Sequence, residues 1–173
     1  MNQNAQLHVL ILEDWPQDAE LMVHELRRSG FDPIRERVEA ECDYLKHLSP
    51  PPDVILADYT MPKLDACRAL RLLQEHGLDI PFMVVTGTIG EEVAVAMIHQ
   101  GAADYLLKDR LVRLGPAVKH ALSETNLRLE KRRTEEELVA SELRFRAFMR
   151  HSPALSVIKD ESGRILYVSN ASG

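Results

Sequence analysis

Two hydrophobic textures alternate along this 173-residue chain. Short apolar runs read as strands: His8-Val-Leu-Ile-Leu12, Asp53-Val-Ile-Leu-Ala57, Pro81-Phe-Met-Val-Val85 and Ala103-Asp-Tyr-Leu-Leu107, with a weaker one at residues 34–38. Between them apolar residues recur at helical spacing. Residues 18–28 carry Ala19, Leu21, Met22, Val23 and Leu26, and residues 39–48 end before the breaker Ser49-Pro-Pro-Pro52. Residues 64–76 and 91–100 form two further helices, each closed by a nearby glycine, Gly77 and Gly101. A fifth helix starts at Gly115-Pro116, with proline at the first helical position, and nothing stops it until about Arg150. Strands alternating with helices predict an α/β fold, a doubly wound five-stranded parallel sheet with an extended C-terminal helix.

That helix is longer than a globular domain needs. With Val118 at a d position, the seam runs through Val118, Leu122, Thr125, Leu129, Arg132, Glu136, Val139 and Leu143, a pattern that fits a marginal two-stranded coiled coil and a homodimer. The same stretch reads equally as a solvated single helix, because residues 130–137 are almost all charged. Beyond it, Leu155-Ser-Val-Ile158, a turn at Asp160-Glu-Ser-Gly163 and Arg164-Ile-Leu-Tyr-Val-Ser169 predict a partial β-hairpin tail. A lone hairpin is marginal in water, so a longer natural protein is expected. The domain reading is residues 6–124, a linker helix at 125–144 and a second, truncated domain at 145–173.

Charge narrows the partners. The 27 acidic and 21 basic residues give a net charge of −6, which lacks the basic footprint of direct nucleic-acid binding. Cys42 and Cys67 show no metal-ligand or redox spacing and read as reduced core thiols. No apolar run approaches the roughly 18 residues that span a bilayer, and the N-terminus has no signal-like pattern, so a cytoplasmic protein without membrane contact is expected.

The chemistry lies at the ends of the strong strands, which terminate on Glu13-Asp14, Asp58, Thr86 and Lys108. The carboxyl ends of parallel strands share one edge, and ligands bind there where the strand order reverses. Three carboxylates in one pocket are costly unless a divalent cation compensates, and magnesium suits oxygen ligands that accompany phosphates. Asp58 is the candidate nucleophile, because a carboxylate can accept a phosphoryl group. Lys108 would offset charge on the transferring oxygens, and Thr86 would donate a hydrogen bond to the product.

The ordered set Glu13-Asp14, Asp58-Tyr-Thr-Met-Pro62, Thr86-Gly87 and Tyr105-Leu-Leu-Lys108 resembles the receiver domain of two-component response regulators. The resemblance implies a flavodoxin-like (CheY-like) sheet of order 2-1-3-4-5 and phosphorylation of Asp58 by a histidine kinase or phosphotransfer protein. It implies magnesium held by Glu13, Asp14, Asp58 and the backbone carbonyl of Thr60. Thr86 and Tyr105 would be the switch pair, with Thr60 and Thr88 at positions that tune the lifetime of the phosphorylated state. Homodimerisation would use the linker helix or the face formed by the fourth helix, fifth strand and fifth helix.

Two departures stand out. Asp109 follows Lys108 where the family usually has a cis proline, and a cis bond to a non-proline costs about 2.5–4 kcal/mol, so a trans peptide is expected. Trp15 replaces a small polar residue and is expected to cover the first helix. Glu142-Leu-Arg-Phe-Arg146, Ser152-Pro153 and Gly163-Arg-Ile-Leu-Tyr-Val168 resemble the opening of a PAS sensory domain, whose missing continuation would carry a histidine kinase or diguanylate cyclase. His120 and His151 read as parts of the helix and this entry, not as phosphoacceptors. The alternative is a magnesium-dependent aspartyl-phosphate phosphatase of the haloacid-dehalogenase-like kind. Its second aspartate, two residues after the nucleophile, is absent: Thr60 follows Asp58 and Pro16 follows Asp14.

Overall fold

Strands that are apolar on both faces need helices on both sides, and the doubly wound arrangement supplies them. A computed structural model describes residues 5–87, 91–151 and 157–168. In chain order the elements are β1 Ala5–Leu12, α1 Pro16–Arg28, β2 Phe31–Val38, α2 Glu41–Lys46, β3 Val54–Asp58, α3 Ala66–Glu75, β4 Phe82–Thr86 and α4 Glu91–His99. They continue with β5 Asp104–Leu107, a 3-10 helix at Lys108–Arg113, α5 Leu114–His151, β6 Val157–Lys159 and β7 Ile165–Val168. The five-stranded sheet has the order β2-β1-β3-β4-β5, with every pair parallel, as expected.

Alternate strand residues point to opposite faces and build two apolar layers. Leu10, Leu12, Ile55, Ala57, Phe82 and Val84 pack against Tyr44 of α2, Leu70 and Leu73 of α3 and Met97 of α4. Val9, Ile11, Val54, Leu56, Met83 and Val85 pack against Met22 and Leu26 of α1 and Leu114 and Val118 of α5. The chain separates into two compact units, Met1–Asn126 and Leu127–Gly173.

Several expectations change. Strand β2 starts at Phe31, three residues before the predicted position, and includes Pro33; as an edge strand it tolerates the missing N–H. Helix α2 is only six residues long, and Cys42 on it is exposed, not in the core; Cys67 is half-buried beside Met97. Trp15 is 64% exposed at the N-cap of α1, whose first turn begins with Pro16. The predicted coiled-coil seam does not begin at Val118: Val118 and Thr125 are buried and Leu122 is half-buried in the first unit. Val118 and Leu122 join the layer that packs on β1, β3 and β4, the cover that parallel strands require.

In the second unit, α5 carries Lys131–Glu135, Arg132–Glu136 and Arg133–Glu137 ion pairs along its exposed middle. Strands β6 and β7 pair antiparallel, the hairpin expected from the sequence. Its turn is held by Asp160 Oδ1, which accepts from the Ser162 and Arg164 N–H groups, and by Gly163 at φ 82°. Ser152 and Pro153, part of the PAS resemblance, lie outside the described residues. Among the described residues no helix is long and apolar enough to cross a membrane.

Candidate functional site

Every strand that ends on a reactive residue delivers it to the same edge of the sheet. Glu13 follows β1, Asp58 ends β3, Thr86 ends β4 and Lys108 follows β5. A cleft of about 370 Å³ opens there, lined by Asp14, Asp58, Thr60, Thr86 and Lys108 together with Trp15, Asp18 and Gly87. A larger hollow of about 560 Å³, bordered by His8, His47 and Pro50, holds none of these groups.

Glu13 is fully buried. Its Oε1 accepts the Trp15 N–H at 3.1 Å and its Oε2 accepts the Lys108 ammonium at 2.7 Å. Burial pushes the Glu13 carboxyl up, an effect only partly opposed by Lys108 and by the Trp15 N–H. Asp58 Oδ2 accepts Lys108 Nζ at 2.9 Å, and its Oδ1 accepts the Thr60 N–H at 3.3 Å. Lys108 donates a third bond to Asp18 Oδ2 at 2.6 Å. Burial alone would pull the Lys108 ammonium down, but the bonds to Asp18, Glu13 and Asp58 outweigh it and hold the group above its ordinary value.

Glu13, Asp14 and Asp58 each offer a carboxylate oxygen, all within 4.8 Å of one another. Three hard oxygen donors at this spacing fit a small divalent cation, which would remove much of their mutual repulsion. Thr60, whose backbone carbonyl was expected to join them, borders the cleft.

Thr86 is buried beside the cleft. Burial pushes the Tyr105 phenol up, while the neighbouring Thr86 hydroxyl pulls it down. Among the described residues the buried Tyr105 Oη has no hydrogen-bond partner. Thr88 lies outside the described residues. The Lys108-Asp109 peptide is trans, as expected; the described cis bond is Ser49-Pro50. His120 lies exposed on α5 near Glu124 and is not among the residues that line the cleft.

Two residues of this region escaped the sequence reading. Asp18 sits in the first turn of α1, where an acidic residue is ordinarily explained by the helix dipole. Its spacing of four residues from Asp14 was the available signal. Arg37, at the end of β2, donates from Nη1 to the Glu13 carbonyl at 2.8 Å and to Glu39 Oε1 at 2.7 Å. It pins the loop that carries Glu13 and Asp14. No local pattern in an edge strand announces such a contact across 24 residues.

Comparison with known proteins places this geometry. The family model "Response regulator receiver domain" matches residues 9–118. The C4-dicarboxylate transport transcriptional regulatory protein DctD of Pseudomonas aeruginosa is 31% identical over 139 residues, covering 75% of this chain and 28% of that protein. The phosphate regulon transcriptional regulatory protein PhoB of Escherichia coli is 33% identical over 106 residues, covering 58% of this chain and 44% of PhoB. The chain therefore spans less than half the length of these relatives. The signal receiver domain of a signal transduction histidine kinase from Syntrophus aciditrophicus superposes with a TM-score of 0.56 at 31% identity, covering 68% of this chain and 91% of that one. A response regulator receiver domain protein from Clostridium thermocellum, at 21% identity and a TM-score of 0.61 over 70% of this chain and 98% of its own, shares the fold. With a family match over most of its length and the sheet order to go with it, this chain belongs to the response regulator receiver domain family, and so to phosphorylation-dependent two-component signalling.

Proposed function

We propose that Asp58 accepts a phosphoryl group from a phosphohistidine on a histidine kinase or phosphotransfer protein. The observation that carries this reading is the convergence of Glu13, Asp14 and Asp58 within 4.8 Å, with Lys108 bonded to the Asp58 carboxylate. Glu13, Asp14, Asp58 and the Thr60 carbonyl would hold magnesium, which when bound supplies positive charge to the transferring oxygens. An Asp58 carboxylate oxygen forms the new O–P bond, and the donor N–P bond breaks with its electron pair returning to the imidazole. The Lys108 ammonium then donates to a phosphoryl oxygen, and the Thr86 hydroxyl moves to donate to another. Tyr105, the other member of the expected switch pair, already has its Oη buried here, so its part would be to repack as the Thr86 hydroxyl moves away.

The signal would leave through α4, β5 and α5, where Val95 and Ile98 of α4 are exposed. It would continue along α5 towards a sensory or output region that begins as a PAS domain, with homodimerisation through this face or the helix. The phosphatase reading gains no support from the site. At the position of its second aspartate stands Thr60, whose N–H is bonded to Asp58.

The test is intact-protein mass after incubation with acetyl phosphate and magnesium, beside an EDTA control and Asp58→Asn. One added phosphoryl group is expected, and both controls should lose it. Steady release of phosphate from a phosphomonoester, without stoichiometric modification, would establish the phosphatase instead.

A further inference from the structure

A lysine ammonium has three N–H donors and no acceptor. In this cleft all three are taken: Asp18 Oδ2 at 2.6 Å, Glu13 Oε2 at 2.7 Å and Asp58 Oδ2 at 2.9 Å. Two of these acceptors have parts in the proposed phosphoryl transfer, Asp58 as the nucleophile and Glu13 in the cation-binding trio. Asp18 has neither part, yet its bond to Lys108 is the shortest of the three.

For Lys108 to reach a phosphoryl oxygen, one of the three bonds must yield. Glu13 is fully buried, so losing Lys108 would strand a carboxylate out of reach of water. The Asp18 side chain is 39% exposed, so water can solvate it once Lys108 leaves. Asp58 loses its carboxylate charge in the transfer itself; of the two carboxylates that remain on Lys108, Asp18 is the one whose release costs less. Its charge also acts through space: beside one cleft, a carboxylate attracts a cation and repels an anion.

We propose that Asp18 is a positioning residue that holds Lys108 in the unphosphorylated arrangement and opposes entry of an anion, so that it acts as a brake on occupancy of the phosphoryl position. This rests on the reading of Asp58 as phosphoryl acceptor. It carries a signature that other roles lack. Removing the Asp18 charge weakens magnesium binding and strengthens binding of a phosphoryl mimic. If Asp18 instead aimed Lys108 at the phosphoryl group, or only supported the fold, the same change would weaken binding of the mimic.

The experiment uses the 173-residue chain, its Asp18→Asn and Asp18→Glu variants, and Asp58→Ala as a blank. Isothermal titration calorimetry measures magnesium alone, then beryllofluoride at saturating magnesium, with thermal unfolding run on every variant. For Asp18→Asn the magnesium dissociation constant is expected to rise about three- to tenfold and that for beryllofluoride to fall by a similar factor. Asp18→Glu, which keeps the charge, should return both towards wild type. Beryllofluoride binding that is unchanged or weaker in Asp18→Asn overturns the proposal. If wild type binds beryllofluoride no better than Asp58→Ala does, the phosphoryl-acceptor reading itself fails.

Discussion

Lys108 and Glu13 neutralise each other in the interior, and each is costly without the other. The Lys108 side chain is 18% exposed and the Glu13 carboxylate is fully enclosed, so removing Lys108 leaves a buried charge whose remaining hydrogen bond, among the described residues, comes from the Trp15 N–H. Lys108→Ala is expected to lose about 1–3 kcal/mol of stability in EDTA, and to regain more on adding magnesium than wild type does. Urea unfolding with and without magnesium checks both. Alkaline pH reports on a second residue. Burial pushes the Tyr44 phenol well above its ordinary value of 10.0, and Lys108 is held above 10.5. In both cases the folded chain keeps a proton that the unfolded chain releases, so the stabilising contribution is complete below about pH 10 and is lost as pH rises further. Tyr44→Phe should flatten this decline above about pH 10. At neutral pH it should cost about 1 kcal/mol, because the Tyr44 hydroxyl donates to the Ala69 carbonyl at 3.1 Å and ties α2 to α3.

Helix α5 meets α1 where neither can move far. A Cβ added at Gly115 would lie 1.8 Å from Ser29 Oγ and 2.1 Å from Ser29 Cβ, and Ser29 Oγ is itself bonded to the Glu25 carbonyl. Glycine is needed here for closeness of approach, not for backbone freedom. Gly115→Ala is expected to cost about 1–3 kcal/mol, and Ser29→Gly in the same chain should recover part of it; equilibrium unfolding of the three variants measures the coupling. Elsewhere the elements follow local chemistry. Asp65 caps α3 by accepting the Arg68 N–H at 2.7 Å, and Gly77 and Gly101, both at positive φ, follow the helices they were expected to close. Where the prediction erred, the error lay in which surface a seam residue would meet: Val118 and Leu122 pack in the core of their own unit, and Thr125 is buried.

At the scale of the whole molecule, that burial changes what a helix-mediated dimer can be. The seam retains Leu129, Val139 and Leu143, all exposed, beside a polar middle. In the predicted register a parallel pair would set Arg128 of one copy against Arg133 of the other, a like-charge contact. Self-association through the helix is therefore expected to be weak and to strengthen as salt screens this repulsion, a trend that sedimentation velocity at low and high ionic strength would show. Loss of association with added salt would point to a different interface. Periodicity and local residue chemistry were enough to determine the order of elements, the parallel sheet and the set Glu13, Asp14, Asp58, Thr86 and Lys108, because each apolar run carries its own polar residue at its end. Only the tertiary structure decided that Asp18 shares the Lys108 ammonium, that Arg37 pins the acidic loop, that Cys42 is exposed, and that the start of the seam is already occupied. The physical reason is one of range. Hydrophobic spacing marks which face of an element avoids water, but it does not name the surface that covers that face. Partners separated by tens of residues, such as Asp18 and Lys108, are chosen by sheet register and helix rotation, which exist only once the chain has folded.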